Sequence, residues 1–292
     1  MAPLSTLITH DPIKLLLIGD SSSGKTGSLC SLATAGYNLR IIDIDKGSEI
    51  IANYLSDKNS IYYKKDPEAI SRVEVVRISD AMRSINGVLS AVKGDAWQRA
   101  MKLLMDWTDG GTKLGPISSW GPKDVLVIDS LSGLTKMALN FHLMMNGALA
   151  KTRTQNEARR DIGAAQEYIR GLLELLYDDN IKCNVIVIAH ITGVTEAGGA
   201  PKVEDGSFNS IPTGFPSAIG RALSPQIPRW FNNMLVVSRS IQGTRSTHRI
   251  YTSSQYLNGM DIGAKTSAPL RVKPEYPLET GLADFFADLR ST

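Results

Sequence analysis

The feature that most constrains this 292-residue chain is a phosphate-binding loop that directly follows an apolar run. The run from Lys14 to Ile18 is typical of a buried parallel strand. The residues after it match the pattern G-x-x-x-x-G-K-[ST] in full. Backbone N–H groups of such a loop face an anion, and the helix that begins at its end adds a favourable dipole. We therefore expect a nucleotide site formed by Gly19, Asp20, Ser21, Ser22, Ser23, Gly24, Lys25, Thr26 and Gly27.

The residue types within this loop indicate how it would bind a triphosphate. Gly19 and Gly24 allow the sharp turn, because they tolerate a positive φ and carry no Cβ that would block a phosphate. Lys25 supplies a cation at the β- and γ-phosphates, and the Thr26 hydroxyl is a ligand for Mg²⁺. The expected cofactors are therefore ATP and Mg²⁺.

The composition is that of an ordinary globular protein and excludes several protein classes. Hydrophobic residues make up 42% of the chain and charged residues 21%, and no apolar run approaches the roughly 18 residues of a membrane span. Residues 1–11 lack the features of a secretory signal, and the two cysteines form no disulfide framework or metal-ligand pattern. A net charge of +3 permits a nucleic-acid partner without requiring one.

We expect one cytoplasmic domain without membrane association. It would have an N-terminal segment (1–12), a core (13–273) and a C-terminal tail helix (274–292).

Three further apolar runs each end in polar residues. The first ends at Asp43-Ile44-Asp45, the second at Asp129 and the third at His190. Ligands of open parallel sheets bind at the carboxyl ends of the strands, so these side chains are expected to converge on the phosphate-binding loop. Asp129 is the candidate magnesium ligand, together with Thr26.

The overall pattern predicts an α/β fold with a mostly parallel central sheet, flanked by helices and extended by a C-terminal β-hairpin. The hairpin is predicted from strands at 234–239 and 248–253, and helices are predicted at 217–223 and 281–290. Residues 56–67, rich in Lys and Tyr, are expected to be an exposed polar stretch.

The order of these motifs resembles the core of RecA-like P-loop ATPases. The run Val187-Ile188-Ala189-His190-Ile191-Thr192-Gly193 is similar to the corresponding strand of bacterial RadA, and the compact chain looks most like phage-encoded RecA/RadA-like proteins that include single-strand annealing recombinases. The resemblance covers Ile13 to Lys273. It implies a RecA-like fold, a DNA-stimulated ATPase and a homo-oligomer in the form of a ring or filament.

The resemblance also implies catalytic roles at the strand ends. Asp45 takes the place of the acid that positions the attacking water, although the family commonly has Glu there, and a shorter side chain implies slow hydrolysis. Glu49, one helical turn on, is the alternative, and Asp45 is equally compatible with a helix N-cap. His190 matches the residue that senses the γ-phosphate and relays its presence to the DNA-binding loop.

A neighbouring subunit completes the site in RecA-like enzymes by donating cations to the γ-phosphate. The corresponding segment here, Ala264-Lys265-Thr266-Ser267, keeps the lysine of the RadA-like Lys-x-Arg pattern and lacks the arginine. Lys265 is therefore the candidate trans-acting finger, with Arg239 and Arg245 as competitors.

Two loops are implied to contact single-stranded DNA, one after the helix that follows Asp129 and one after His190. Cations would contact phosphates, and an aromatic side chain would stack on a base. A single-strand DNA-binding protein is a further candidate partner. The candidate DNA-binding residues are Lys151, Arg153, Arg159, Arg160, Lys202 and Phe208.

Two other functions are compatible with the same loop. A helicase-like, packaging or assembly motor would act on duplex nucleic acid or on protein. A small-molecule P-loop kinase is disfavoured, because the sequence has no Arg-rich lid and the predicted sheet continues well beyond the Asp129 strand.

Overall fold

The computed structural model describes residues 12–85, 88–108, 113–194, 212–243 and 245–291. Its strands are β1 (Lys14–Gly19), β2 (Asn38–Asp43), β3 (Val73–Arg77), β4 (Met82–Ile85), β5 (Val88–Ala91), β6 (Asp124–Asp129), β7 (Asn184–Ala189), β8 (Ile191–Val194), β9 (Thr213–Pro216), β10 (Asn233–Gln242), β11 (Arg245–Tyr251), β12 (Gln255–Leu257), β13 (Met260–Ile262) and β14 (Glu275–Pro277).

The α-helices are α1 (Lys25–Ser28), α2 (Cys30–Thr34), α3 (Glu49–Ser56), α4 (Ile61–Lys65), α5 (Ala96–Met105), α6 (Leu131–Met145), α7 (Gln155–Tyr177) and α8 (Gly281–Arg290). Short 3₁₀ helices occur at Ala69–Arg72, Ile117–Ser119 and Ser224–Trp230. None of the helices in the described ranges is long and apolar enough to cross a membrane.

The main sheet has the strand order β14-β11-β10-β1-β7-β6-β2-β3. Its members from β10 to β3 are parallel. At the other edge β11 pairs antiparallel with β10, and β14 pairs antiparallel with β11. The predicted α/β fold with a mostly parallel sheet and a C-terminal hairpin is confirmed. The hairpin is formed by β10 and β11.

The central strands are buried on both faces, which explains their continuous apolar sequences. Leu16 and Ile18 on β1 pack with α5, α6 and α7, whereas Leu15 and Leu17 pack with α2, α3, α4 and α8. All four side chains have no exposed surface. The alternation of side chains along a strand therefore divides the core into two layers, one on each face of the sheet.

The strand order determines which loops meet at the carboxyl ends of the sheet. β7 lies between β1 and β6, so the residue that follows β7 emerges between the phosphate-binding loop and Asp129. β2 lies on the other side of β6, with Asp43 opposite Asp129. Helix α6 then crosses these ends, because Gly133 packs against Asp45, and Asn140 Nδ2 donates to Asp80 Oδ2 at 2.8 Å.

Two of the predicted local structures are wrong. Residues 217–223 form no helix: Gly220 has a φ of 70°, and the 3₁₀ helix that follows contains Pro225 and Pro228, neither of which has an N–H to donate. Residues 56–67 are not uniformly exposed, because α4 lies within them and Tyr62 is only 5% exposed.

The C-terminal residues are integrated into the domain rather than appended to it. β14 pairs with β11, with Ile250 opposite Tyr276. The α8 side chains Phe285 and Phe286 are fully buried.

A second, smaller sheet with the order β12-β13-β9-β8 was not anticipated from the sequence. β8 begins directly after His190 and pairs with β9. β12 and β13 are joined by Asn258-Gly259, with φ angles of 52° and 77°, which suit a tight hairpin turn. This sheet lies next to the phosphate-binding loop, since Asn258 Nδ2 donates to Asp20 Oδ2.

Candidate functional site

The phosphate-binding loop connects β1 to α1 and requires glycine at both ends. A Cβ at Gly19 would lie 2.3 Å from the carbonyl oxygen of Val237 on β10. Gly24 has a φ of 102°, and a Cβ there would lie 2.6 Å from Leu278 Cδ2. Side chains other than hydrogen would therefore force the loop away from the sheet and from the C-terminal segment.

Lys25 directs its ammonium group back into the loop. Its Nζ donates to the carbonyl oxygens of Gly19 at 2.8 Å and Asp20 at 2.7 Å. Burial lowers the pKa of Lys25 to about 8, with Asp129 partly opposing that effect. A desolvated cation inside a loop of this shape favours an anionic ligand, which would compensate the buried charge.

Thr26 and Asp129 form the part of the site that suits a magnesium ion. Thr26 Oγ1 donates to Asp129 Oδ2 at 2.6 Å. Burial raises the pKa of Asp129 to about 6, against the hydrogen bond from Thr26, and the neighbouring acid Asp45 also raises it. A nearby dication would remove the cost of this buried negative charge, so the site fits Mg²⁺.

The described residues contain no cluster of three or more His, Cys, Asp or Glu side chains that could hold a metal ion. A pair consisting of one hydroxyl and one carboxylate is nevertheless what Mg²⁺ uses when water and substrate phosphates supply its other ligands.

Asp45 and His190 meet beside this pair. His190 Nε2 lies 3.5 Å from Asp45 Oδ2, which also accepts a hydrogen bond from Ser130 Oγ at 2.6 Å. The hydrogen bond to His190 lowers the pKa of Asp45, and the bond from Ser130 adds to this effect, whereas burial acts in the opposite direction. Asp45 is therefore an ionised acceptor at neutral pH, and both of its partners follow neighbouring strands.

The helix-cap interpretation of Asp45 is not what the structure contains, because Asp43 makes the turn into α3. Asp43 accepts hydrogen bonds from the backbone N–H groups of Gly47 at 3.1 Å and Ser48 at 3.2 Å, and from Ser48 Oγ at 2.5 Å. These contacts leave the Asp45 carboxylate directed to Ser130 and His190.

Glu49, the alternative water-positioning residue, lies on the far side of α3. Its Oε1 accepts a hydrogen bond from Arg77 at 3.1 Å, and the carboxylate is 75% exposed. Glu49 does not line the pocket that contains the loop, whereas Asp45 does.

One cavity of about 870 Å³ joins these groups. Its polar end contains the loop and the acids. Its other end combines apolar and aromatic side chains of α3, α4 and the segment before α8 with the polar residues Asp57, Asn59, Ser60 and Glu279. The Tyr54 and Tyr62 rings lie 5.6 Å apart at that end, and a Cβ on Gly27 would lie 3.0 Å from Tyr54. The residues lining the cavity include Ser21, Ser22, Gly24, Lys25, Thr26, Gly27, Asp45, Ile50, Tyr54, Ile61, Tyr62, Asp129, His190, His248 and Leu278.

Two residues at the loop were missed by sequence reasoning. His248 Nδ1 lies 2.7 Å from the carbonyl oxygen of Ser23, and Asn258 contacts Asp20. Both come from the C-terminal part of the chain, more than 200 residues from the loop. The Asn-Gly pair at 258–259 predicts a hairpin, but no local signal indicates where that hairpin lies.

Lys265, the candidate trans-acting finger, lies away from the loop of its own chain. Its backbone forms a bridge with Met234 at the start of β10, with N···O distances of 2.8 and 3.0 Å. The loop begins at the carboxyl end of β1, where Gly19 pairs with Val237, three positions further along β10 than Met234. Burial lowers the pKa of the Lys265 ammonium group. The bridge to Met234 involves only backbone atoms, so it does not hold that group.

The basic segment before α7 contains side chains in different environments. Arg153 makes two hydrogen bonds to the buried Asp161, at 2.9 and 3.1 Å, whereas Lys151, Arg159 and Arg160 are exposed. Thr154 and Glu157 form a capping box, so α7 begins at Gln155 and Arg159 and Arg160 lie on a helix rather than in a loop. The other candidate DNA-binding residues, Lys202 and Phe208, lie outside the described residues.

The strand order and the loop geometry together identify the architecture. It is an α/β sheet in which the phosphate-binding loop follows a central parallel strand. Among solved structures, the chain is similar to a KaiC-like protein from Pyrococcus horikoshii OT3, with 11% identity, a TM-score of 0.42, and coverage of 91% of this chain and 84% of that one.

Two further solved structures are similar to this chain. The RadB recombinase has 12% identity, a TM-score of 0.41, and coverage of 83% and 81%. The flagellar accessory protein FlaH from Methanocaldococcus jannaschii has 12% identity, a TM-score of 0.40, and coverage of 94% and 89%. No family model and no curated protein matches the chain.

Proposed function

We propose that this protein is a RecA-like ATPase that uses Mg²⁺ and ATP to control its binding of single-stranded DNA, and that it assists strand annealing or strand exchange in phage-type recombination. The observation that carries the proposal is the meeting of four strand ends in one cavity. These ends contribute the loop with Lys25, the Thr26–Asp129 pair and the Asp45–His190 pair.

The proposed reaction begins with binding of the triphosphate by the loop. The Lys25 ammonium exchanges its bonds to the Gly19 and Asp20 carbonyls for phosphate oxygens and compensates their charge. Thr26 and Asp129 would hold Mg²⁺, which would supply positive charge beside the phosphates when bound. Asp45, kept ionised by His190 and Ser130, accepts a hydrogen bond from the attacking water and orients it.

The proposed coupling to DNA runs through His190. This residue directly follows β7, and β8 begins at the next position and pairs with β9. A change in the contact between His190 and Asp45 during hydrolysis would therefore move the start of β8. The two strands border the segment that the resemblance assigns to DNA binding.

The exposed cations near the start of α7 lie at the same end of the domain. α6 crosses the carboxyl ends of β2 and β3, and the buried Asp161 on α7 contacts His142 near the end of α6 at 3.3 Å. We infer that Arg159 and Arg160, near the start of α7, lie towards the carboxyl ends of the strands, which is also the end where the cavity lies. Such a surface would bind the phosphates of a single strand without reading its sequence.

We further propose that the active form is a homo-oligomer in which Lys265 reaches the γ-phosphate site of a neighbouring subunit. Its backbone bridge to Met234, near the amino-terminal end of β10, supports a role in trans. Assembly across the nucleotide would make the contact between subunits depend on the phosphate state, and hydrolysis would then lower DNA affinity.

Steady-state phosphate release measured without DNA, with a single-stranded oligonucleotide and with a duplex tests the proposal. Stimulation by the single strand, together with salt-sensitive and ATP-dependent binding of that strand, is expected. Stimulation by the duplex alone would instead indicate a helicase-like or packaging motor. The proposal fails if the protein shows no salt-sensitive affinity for single strands, with or without ATP, or if it does not hydrolyse ATP.

A further inference from the structure

The strand register places His248 next to the phosphate-binding loop. β10 pairs with β1 up to Val237, which lies opposite Gly19, and then continues past the end of β1 to Gln242. β11 runs back along β10 with His248 opposite Arg239, two positions beyond Val237. His248 therefore lies beyond the end of β1, beside the phosphate-binding loop that follows Gly19.

Hydrogen-bond chemistry determines the state of the imidazole in this contact. The carbonyl oxygen of Ser23 can only accept, so His248 Nδ1, 2.7 Å away, must carry the proton. In the neutral ring Nε2 is then an acceptor for the Ser246 hydroxyl at 3.2 Å, and Ser246 Oγ accepts from Arg239 Nε at 2.8 Å. Arg239, Ser246 and His248 therefore form a chain in which every donor points toward the loop.

This contact bears on the anion site through the peptide that joins Ser23 and Gly24. A trans peptide is planar, and its C=O and N–H groups point in opposite directions. With the Ser23 carbonyl held by His248, the N–H of Gly24 is directed away from His248. Without that bond, the peptide at the flexible Gly24 could rotate and present a carbonyl oxygen where a phosphate needs a donor.

We propose that His248 is a positioning residue, which orients the Ser23–Gly24 peptide so that the loop presents an N–H group to the phosphates of ATP. This inference rests on the proposed ATPase function. Because the orienting bond would act equally in the ground state and in the transition state, its loss raises KM and leaves kcat nearly unchanged.

The test compares His248→Ala with His248→Asn, since the Asn amide nitrogen can occupy the place of Nδ1 and donate to Ser23. Thr247→Ala is the matched control, because Thr247 is an exposed neighbour whose side chain faces the other side of β11. Affinity for Mg·ATP is measured by calorimetry, KM and kcat by phosphate release, and folding by thermal unfolding.

His248→Ala is expected to weaken Mg·ATP binding about tenfold, the effect of one lost hydrogen bond of ordinary strength. His248→Asn should return the affinity to within about threefold of the wild type, with kcat unchanged in both variants. Wild-type affinity in His248→Ala, or an equal loss in the two variants, would overturn the proposal.

A measurement on the free protein separates this inference from the proposed function. Long-range ¹H–¹⁵N correlation spectra of the histidine rings should show the Nδ1–H tautomer for His248, whether or not the protein binds ATP. A ring protonated only at Nε2 would overturn the inference. Absence of Mg·ATP binding by the wild type, with the Nδ1–H tautomer present, would overturn the proposed function and leave the loop contact established.

Discussion

The cavity at the phosphate-binding loop and the basic start of α7 differ in how their polar residues are held. In the cavity, Asp45, Asp129 and His190 are far apart in sequence, yet the strand order brings them together. Near α7, cations that are close in sequence separate: Arg153 turns back to Asp161, whereas Arg159 is exposed. Polar residues at the ends of adjacent parallel strands must converge, whereas a run of cations alone does not reveal which of them are available to a ligand.

Removing the loop cation should have the largest effect on the cavity. Lys25→Ala is expected to lower kcat/KM for ATP by at least about 10³-fold, because the phosphates lose their charge compensation in a buried site. Phosphate release measures this effect, with the exposed Lys102→Ala on α5 as the control. Persisting hydrolysis in Lys25→Ala would place the active site elsewhere.

Neutralising Asp129 should stabilise the free protein while it removes the proposed ligand for Mg²⁺. Asp129 has an ordinary pKa of 3.8, which burial raises to about 6 in the folded chain. The folded protein therefore keeps this proton to a higher pH than the unfolded chain, and stability present below pH 3.8 is lost as the pH rises through about 6.

At pH 8 without Mg²⁺, Asp129→Asn should raise the free energy of unfolding by up to about 3 kcal/mol. The gain should vanish near pH 4, and ATP hydrolysis should be lost. Urea unfolding of both proteins at the two pH values measures the difference. A gain that does not depend on pH would mean that the ionisation of Asp129 is not its cause.

The acid beside His190 should affect turnover more than binding. Asp45→Asn is expected to reduce kcat about 10²-fold with little change in KM, because the amide no longer accepts the water's hydrogen bond as a carboxylate does. Glu49→Gln, on the other side of α3, is the matched comparison and should keep kcat within about twofold. The opposite pattern would assign the water-positioning role to Glu49.

Substitutions in the basic segment should have smaller effects, and those effects should differ between Arg153 and the pair Arg159 and Arg160. Replacing Arg159 and Arg160 by Ala should weaken binding of a single-stranded oligonucleotide about tenfold and lower the salt slope by about 1.4. Arg153→Ala should instead lower the thermal midpoint, since the buried Asp161 loses its partner. Fluorescence anisotropy measures DNA affinity and thermal unfolding measures stability for both variants. Equal losses of DNA affinity in the two variants would contradict the different roles assigned to Arg153 and to Arg159 and Arg160.

Much of the fold and of the polar end of the cavity could be predicted, because apolar strands that end in polar residues leave a clear pattern. The run Ile42-Asp43-Ile44-Asp45 is a case in which the sequence pattern does not predict the role of each side chain. Both acids follow the same strand, and the sequence does not indicate that Asp43 would bind the α3 turn while Asp45 faces His190. The different roles of the two acids depend on tertiary contacts, because Asp45 meets Ser130 after β6 and His190 after β7.

The positions of other residues depend on tertiary contacts that the sequence pattern does not predict. Tyr62 belongs to a Lys- and Tyr-rich stretch that was predicted to be exposed, yet it is buried against the α3 side of the cavity. His248 reaches the loop only through the register of β11 on β10. The capping box at Thr154 and Glu157, in contrast, is a sequence signal that would have placed the start of α7 correctly.

A crystal structure with Mg²⁺ and a non-hydrolysable ATP analogue would test the central claim most directly. We expect the γ-phosphate at Lys25, the metal at Thr26 and Asp129, and Asp45 and His190 facing the γ-phosphate. An analogue bound outside the loop, or a bound γ-phosphate with Asp45 and His190 turned away from it, would contradict the account.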